Sequence, residues 1–282
     1  MFRSSSATPQ SSLPLMPAVV VFAGLFVLPL VYFFVISFWS VRARIMRPAF
    51  SLANYAETLN EYGGVLSYTA LTAGTVAVLT TIVAFAFAYA IRFRLGRFGN
   101  AFLLITLTTL FGGYLVKIYA WKSILGTEGV LNRALLGAGL INEPLGALLY
   151  STQGVVITLT YFLLPFAVLP IYGSLRAVSD VTLEAARDVG AGPFKVLRDI
   201  VLPQCRGGLM TAFTLSFLIS VGDYVTPRFV GGGAALMGTF IENQFSIGFN
   251  WPLGSAMAFT TVAVTLGIVL AVDRLLKMAL RP

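Results

Sequence analysis

The stretch LEAARDVGAGPFKVLRDIVLP, from Leu183 to Pro203, is polar in a chain whose flanking segments are almost wholly apolar. Its charged residues are Glu184, Arg187, Asp188, Lys195, Arg198 and Asp199. Two glycines, Gly190 and Gly192, lie between the two groups of charges. A short, charged segment with glycines at its centre is typical of a loop that contacts solvent or another protein.

The composition of the rest of the chain indicates a membrane protein. Of its 282 residues, 57% are hydrophobic and 11% are charged, whereas soluble domains carry about 25% charged residues. The formal charge is +8, but the basic residues lie between apolar runs, which favours membrane orientation over nucleic-acid binding. Because the chain has no histidine and only one cysteine, Cys205, an internal disulfide, a Cys/His metal site and a Ser/His or Cys/His catalytic pair are excluded.

Six apolar stretches are long enough, or nearly so, to cross a membrane as helices, since a span needs about 20 apolar residues. They cover residues 15–38, 67–91, 101–125, 154–175, 207–225 and 253–272. The first is longer and more aromatic than a secretory signal, so we expect it to be retained. The expected fold class is all-α integral membrane with six transmembrane helices. A flexible cytoplasmic N-terminus at residues 1–12 precedes one transmembrane domain at residues 13–282.

The distribution of basic residues predicts the orientation. If both termini are cytoplasmic, the inner segments hold twelve of the nineteen Lys and Arg residues and the outer loops hold four. The four outer residues are Arg42, Arg44, Arg47 and Arg133. The basic cluster at 42–47 is an exception to this distribution, and contact with lipid headgroups is the one interpretation of it. This orientation puts residues 179–203 in the cytoplasm.

Residues 179–203 are predicted to form a helix, a hinge and a second helix. Ser179 or Asp180 can cap the first helix, and Gly190 can end it in the left-handed conformation. Pro193 suits the first position of the second helix. On the residues alone, two interpretations stay open. The segment is either a solvated loop or a slim rod that enters a groove in another protein.

The same string resembles the EAA motif of ATP-binding-cassette (ABC) importer permeases: Glu-Ala-Ala, three residues, Gly, nine residues, Ile, one residue, Leu-Pro. The seven matching positions are Glu184, Ala185, Ala186, Gly190, Ile200, Leu202 and Pro203. In that family the segment is a coupling helix that docks in a cleft of the ATPase subunit. The resemblance implies the type I importer permease fold, with ten residues docking the ATPase here. They are Leu183, Glu184, Ala185, Ala186, Arg187, Gly190, Ala191, Gly192, Pro193 and Phe194.

Five further stretches are similar to the polyamine-type (spermidine and putrescine) branch, and most of all to the first of its two permease subunits. They are LVKIYAWKSILGTEGVLN at 115–132, LPFAVLPIYGSL at 164–175, VGDYVTPRFVGG at 221–232, ENQF at 242–245 and NWPLGSAMAF at 250–259. The resemblance implies import of a small organic solute across a bacterial inner membrane, with a polyamine as the best single expectation. Amino-acid derivatives, opines and phosphonate-like solutes stay open as alternatives.

The chain has no GxxxxGK[ST] phosphate-binding loop, so we expect ATP hydrolysis on a separate chain. The expectation is a non-catalytic subunit without a cofactor or metal of its own, with ATP and Mg²⁺ on two partner ATPase subunits. The resemblance also implies a second, homologous permease subunit in a heterodimer. A periplasmic substrate-binding protein would dock on residues 51–68 and 227–252. Membrane lipid is the remaining contact, and no nucleic acid is expected.

Ionisable side chains inside a membrane usually face a cavity or a partner, because their insertion costs about 2.5–3.5 kcal/mol at mid-span. Lys117 in the third span and Asp223 at the outer end of the fifth fit this description. Tyr119 and Tyr224 are aromatic candidates for a translocation path that stacks on a cation. For Lys117 and Asp223 the alternatives are an interhelical ion pair, including one with each other, or snorkelling to the interface. For the aromatic residues the alternative is a belt at the interface. Lys117 would repel a cationic solute unless an acid neutralised it.

Two other classes of membrane protein predict different sequence patterns. An ion-coupled secondary transporter predicts inverted repeats and discontinuous spans with ion ligands near the midplane. The sequence shows neither, although Pro29, Pro165 and Pro170 can break helices. A membrane enzyme predicts a cluster of acids or histidines at one membrane depth, and the sequence offers no such cluster.

Overall fold

A computed structural model describes residues 16–43, 45–146 and 148–280. The N-terminal segment expected at residues 1–12 lies outside the described residues, as does Arg44 of the basic cluster. Within the described chain, four helices are long and apolar enough to cross a membrane, and the number rises to six if each of two bent helix pairs is one span. The predicted all-α membrane fold class is confirmed, and the described chain has six spans only if each bent pair counts as one.

The described residues form twelve numbered helices, two short 3-10 helices (Gly96–Phe98 and Thr109–Phe111) and one short hairpin. The helices are α1 (Met16–Ile36), α2 (Ala53–Phe93), α3 (Gly99–Thr108), α4 (Tyr114–Leu125), α5 (Val130–Gly137), α6 (Thr152–Ala177), α7 (Asp180–Asp188), α8 (Pro193–Gln204), α9 (Arg206–Gly222), α10 (Val225–Phe229), α11 (Met237–Ser246) and α12 (Trp251–Ala279). Strands β1 (Ser40–Arg42) and β2 (Ile45–Arg47) pair antiparallel, so the basic cluster forms a hairpin that the sequence did not predict.

Helices α2, α6 and α9 pack against one another at the centre of the bundle. Small residues let them approach closely, as is common between membrane helices. A Cβ added at Gly208 of α9 would lie 2.5 Å from the backbone oxygen of Pro170 in α6. Pro165 and Pro170 lie inside α6, which nevertheless continues through both to Ala177. These two prolines therefore do not break the fourth span.

The third predicted span, residues 101–125, is not one continuous helix, which corrects the sequence prediction. The chain bends by 104° between the helical segment Gly96–Phe111 and the helical segment Tyr114–Gly137. Gly112 and Gly113 sit at the bend with extended backbone, at ψ values of 130° and 138°. The apolar run hides this break, because hydropathy does not change where the backbone does.

Different helices pack against the two ends of the bundle. At one end, the C-terminal halves of α2 and α6 share an apolar cluster with α7 and α8. At the other, Leu66 of α2 packs with Met237 of α11 and Leu253 of α12. Helix α2 connects both ends, so it spans the bundle from the α11 side to the α7 side.

The close approach at Gly208 gives a test of this packing. We expect Gly208→Leu to destabilise the protein by about 1–3 kcal/mol, because the added side chain overpacks α9 against α6. The neighbouring Gly207 is exposed, and a Cβ there meets nothing within 4 Å. Thermal unfolding of the detergent-solubilised protein should therefore show a lower midpoint for Gly208→Leu and no loss for Gly207→Leu. Equal effects of the two substitutions would contradict the packing.

Candidate functional site

Helix α7 is fastened to α2 at its first residue. Asp180 accepts two hydrogen bonds from the Arg92 guanidinium, at 2.8 and 2.9 Å. Ser179 precedes the helix with extended backbone, but its side chain makes no capping hydrogen bond. The carboxylate of Asp180 also lies in the first turn, where a negative charge favours the helix dipole. Ser179 thus occupies the N-cap position without a capping hydrogen bond, and Asp180 forms an ion pair with another helix instead of capping.

The hinge after α7 has the conformation that the sequence predicts. Gly190 has φ +80°, a left-handed conformation that costs other residues about 1–2 kcal/mol. The Gly190 N–H donates to the Arg187 carbonyl and the Ala191 N–H donates to the Ala186 carbonyl, at 2.9 and 3.0 Å, which is the Schellman pattern. Gly192 precedes α8 and Pro193 is its first residue.

One face of the segment is buried and the other is exposed. Leu183 is 4% exposed and lies in an apolar cluster with Leu175 of α6 and Val201 of α8. Ala186 and Ala191 pack against the same cluster. Burying a leucine or valine side chain contributes about 1.5–3 kcal/mol, so these contacts hold the segment to the bundle.

The exposed face presents apolar side chains to the outside. Val189 is 84% exposed and Phe194 is 74% exposed. The structure therefore divides the ten predicted docking residues into two groups. Leu183, Ala186 and Ala191 anchor the segment. The exposed members are Glu184, Ala185, Arg187, Gly190, Gly192, Pro193 and Phe194.

A second candidate site, a buried polar cluster, joins α4 to the end of α9. Asp223 is 8% exposed. Its Oδ1 accepts from the Tyr114 hydroxyl at 2.7 Å and from the Val225 N–H at 3.0 Å. The Tyr114 hydroxyl also lies 2.8 Å from Oγ1 of Thr226. The other oxygen, Oδ2, is buried without a hydrogen-bond partner among the described residues. The break between α3 and α4 brings Tyr114 to this position.

Lys117 and Tyr119 do not join Asp223. The Lys117 ammonium lies 5.1 Å from the ring centroid of Phe162, a cation–π arrangement. No ion pair between Lys117 and Asp223 occurs in the described part of the chain. Tyr119 packs edge-on against Phe229, with ring centroids 5.5 Å apart. The structure therefore does not show the ion pair between Lys117 and Asp223 that was one interpretation of these residues.

A cleft of about 590 Å³ lies between α9, α11 and α12. Of the four predicted path residues, only Tyr224 lines it. Glu242 of α11 lines it as well and pairs with Arg228, with 3.7 Å between nitrogen and oxygen. The site prediction omitted Glu242. The available signal was its position as the one acid in α11, within the ENQF stretch.

The model of the family described as "binding-protein-dependent transport system inner membrane component" matches residues 101–280. The chain belongs to this family. It is a multi-pass inner-membrane permease of a binding-protein-dependent ABC importer, as the resemblance implied.

Two curated relatives carry the same name, spermidine/putrescine transport system permease protein PotB. The Salmonella typhimurium (strain SL1344) protein is 30% identical over 233 residues, which is 82% of this chain and 80% of that protein. The Haemophilus influenzae protein is 29% identical over 210 residues, covering 74% of this chain and 73% of the relative.

A solved structure supports the fold. A chain in the crystal structure of a bacterial alginate ABC transporter, in complex with an alginate pentasaccharide-bound periplasmic protein, is similar with a TM-score of 0.69. The similarity covers 92% of this chain and 90% of the other at 16% identity. At that identity the match shows the fold alone.

Proposed function

We propose that this chain is a permease subunit of an ATP-driven importer that carries a polyamine, such as spermidine or putrescine, into the cytoplasm. The observation that carries the proposal is the 30% identity with a spermidine/putrescine permease over about four fifths of both chains. Fold similarity alone does not select a substrate. Sequence identity of this extent, over matching lengths, favours a shared substrate class.

The proposed orientation has both termini and α7 on the cytoplasmic side. It is supported by the excess of basic residues in the segments assigned to that side. The exposed face of α7 and the hinge, with Val189 and Phe194, would then dock in a cleft of an ATPase subunit. Closure of two ATPase subunits around ATP and Mg²⁺ would displace α7, and the hinge at Gly190 would pass the displacement to α8 and α9. This is coupling through an element with two positions.

The cleft is lined mostly by apolar side chains, and Tyr224 and Glu242 are the groups in it that would contact a cationic solute. Tyr224 offers an aromatic face and Glu242 a carboxylate, which are the groups that attract an amine. Asp223, directly before Tyr224, does not line the cleft, and the Glu242 carboxylate is paired with Arg228. Lys117, which would repel a cation, rests on Phe162 and does not line the cleft.

The remaining partners follow from the same proposal. Six spans are too few to enclose a path, so a second, homologous permease subunit completes it as a heterodimer. The chain hydrolyses no ATP and binds no cofactor of its own, since ATP and Mg²⁺ are bound by the ATPase subunits. A periplasmic substrate-binding protein delivers the solute to residues 51–68 and 227–252.

The substrate is tested with the assembled transporter in proteoliposomes, with ATP inside and the cognate binding protein outside. We expect ATP-dependent accumulation of labelled spermidine or putrescine that vanadate abolishes and an ionophore does not. Accumulation of 2-aminoethylphosphonate with no polyamine uptake would refute the substrate class. Uptake that ignores vanadate and collapses with an ionophore would refute the ATP-driven mechanism and favour an ion-coupled transporter.

The coupling role is tested at the hinge. We expect Gly190→Val and Glu184→Lys to lower ATP-driven uptake by at least about tenfold, since a left-handed β-branched residue costs more than about 1–2 kcal/mol and a reversed charge disturbs the docking face. Gly173→Val in α6 is the control, because a Cβ there also meets nothing within 4 Å. Membrane insertion should be unchanged in all three. Normal uptake by Gly190→Val and Glu184→Lys would contradict the coupling role.

A further inference from the structure

A polar cavity of about 440 Å³ opens at the α7 end of the bundle, apart from the cleft and from the docking face. It lies where α2 and α6 end and α3 begins. The side chains that line it include Arg92, Asn100, Tyr172 and Arg176. The cavity is therefore bordered by three helix ends and lined by two guanidinium groups.

The polar groups of the cavity are only partly used within the protein. Arg92 is engaged with Asp180, which compensates one of the two positive charges. Arg176 makes no hydrogen bond or ion pair with the described residues, and neither do the Tyr172 hydroxyl and the Asn100 amide. The cavity therefore has an uncompensated positive charge together with two neutral hydrogen-bonding groups.

The backbone around the cavity is tightly fixed. Gly99 starts α3 so close to α2 that an added Cβ would lie 2.6 Å from the Ile91 carbonyl oxygen. Gly96, just before it, has φ +47°. Gly99 thus holds the start of α3 against α2, and Gly96 makes the left-handed turn before it. The cavity is thus a built feature of the fold.

The position of the cavity along the helix bundle favours a lipid as its ligand. The apolar helices α2 and α6 end at Phe93 and Ala177, so the cavity opens where the hydrocarbon region ends. Guanidinium groups of Arg92 and Arg97 lie 4.9 Å from the ring centroids of Phe93 and Phe98. Aromatic and basic side chains together are typical of the headgroup region. Arginine forms bidentate hydrogen bonds with phosphate oxygens, and basic pockets between membrane helices bind anionic headgroups.

We propose that this cavity binds the phosphate group of an anionic phospholipid in the leaflet that α7 faces. Arg176 supplies the charge, and Tyr172 and Asn100 complete the contacts to the headgroup. The bound lipid bridges α2, α3 and α6 next to the Arg92–Asp180 ion pair that fastens α7. That this leaflet is the inner one rests on the orientation in the proposed function. The binding itself does not depend on it.

The test uses the full-length chain purified with its partner subunits in detergent and titrated with phosphatidylglycerol in native mass spectrometry. We expect Arg176→Gln to weaken phosphatidylglycerol binding about fivefold, the effect of one basic residue near a headgroup. Arg274→Gln removes the same charge from an exposed position in α12 that does not line the cavity, and it should leave binding unchanged. Asn100→Leu is a second variant, which should also weaken binding.

Three comparisons decide the outcome. Equal phosphatidylglycerol binding by Arg176→Gln and Arg274→Gln would overturn the proposal, as would equal binding of zwitterionic phosphatidylcholine by the unaltered protein. Displacement of the lipid by millimolar glycerol 3-phosphate or inorganic phosphate would show a soluble phosphate site instead of a lipid site. ATP-driven uptake is measured separately on the same preparations. Because lipid binding in detergent needs no transport, failure of this proposal and failure of the proposed function are distinguishable.

Discussion

The burial of Leu183 against the ends of α2 and α6 is the contact on which the rest of the account depends. It is a side chain of the most polar segment in the chain, yet it is 4% exposed in an apolar cluster that also holds Leu175 and Val201. The Arg92–Asp180 ion pair adds a tether at the start of α7, although Asp180 is largely exposed and such pairs contribute at most about 1 kcal/mol. Apolar packing therefore fixes α7, and the ion pair orients it.

That anchoring explains how a polar segment can transmit force through a membrane protein. Helix α7 leaves its other face free, and the left-handed Gly190 turns the chain directly into α8. Helix α8 packs on the same cluster and meets α9 at a bend of 68°. A movement applied to the exposed face thus has a continuous helical route to the centre of the bundle. The cleft that Tyr224 and Glu242 line lies at the far end of α9.

Much of this was predictable because the signals are local in sequence. The hinge needs only Gly190 and its neighbours, and the six apolar runs are set by composition, so both were predicted from the residues. The bend at residues 112–113 has a local signal, the Gly112–Gly113 pair, but hydropathy does not register it. The pairing of Arg92 with Asp180 and the position of Glu242 beside Tyr224 depend on contacts between distant segments. No local pattern reports such contacts. The contact of Lys117 could not be predicted from its neighbours in sequence either, since its partner Phe162 belongs to another helix.

The most direct test of the central claim is a photocross-linking residue placed at Val189 in the assembled transporter. The account predicts an ATP-modulated cross-link to the ATPase subunit, because Val189 is exposed on the face that the anchored α7 presents. The same residue placed at Val130, which is exposed at the other end of the bundle, should give none. Cross-links from Val189 to lipid or to the binding protein, with none to the ATPase, would contradict the account.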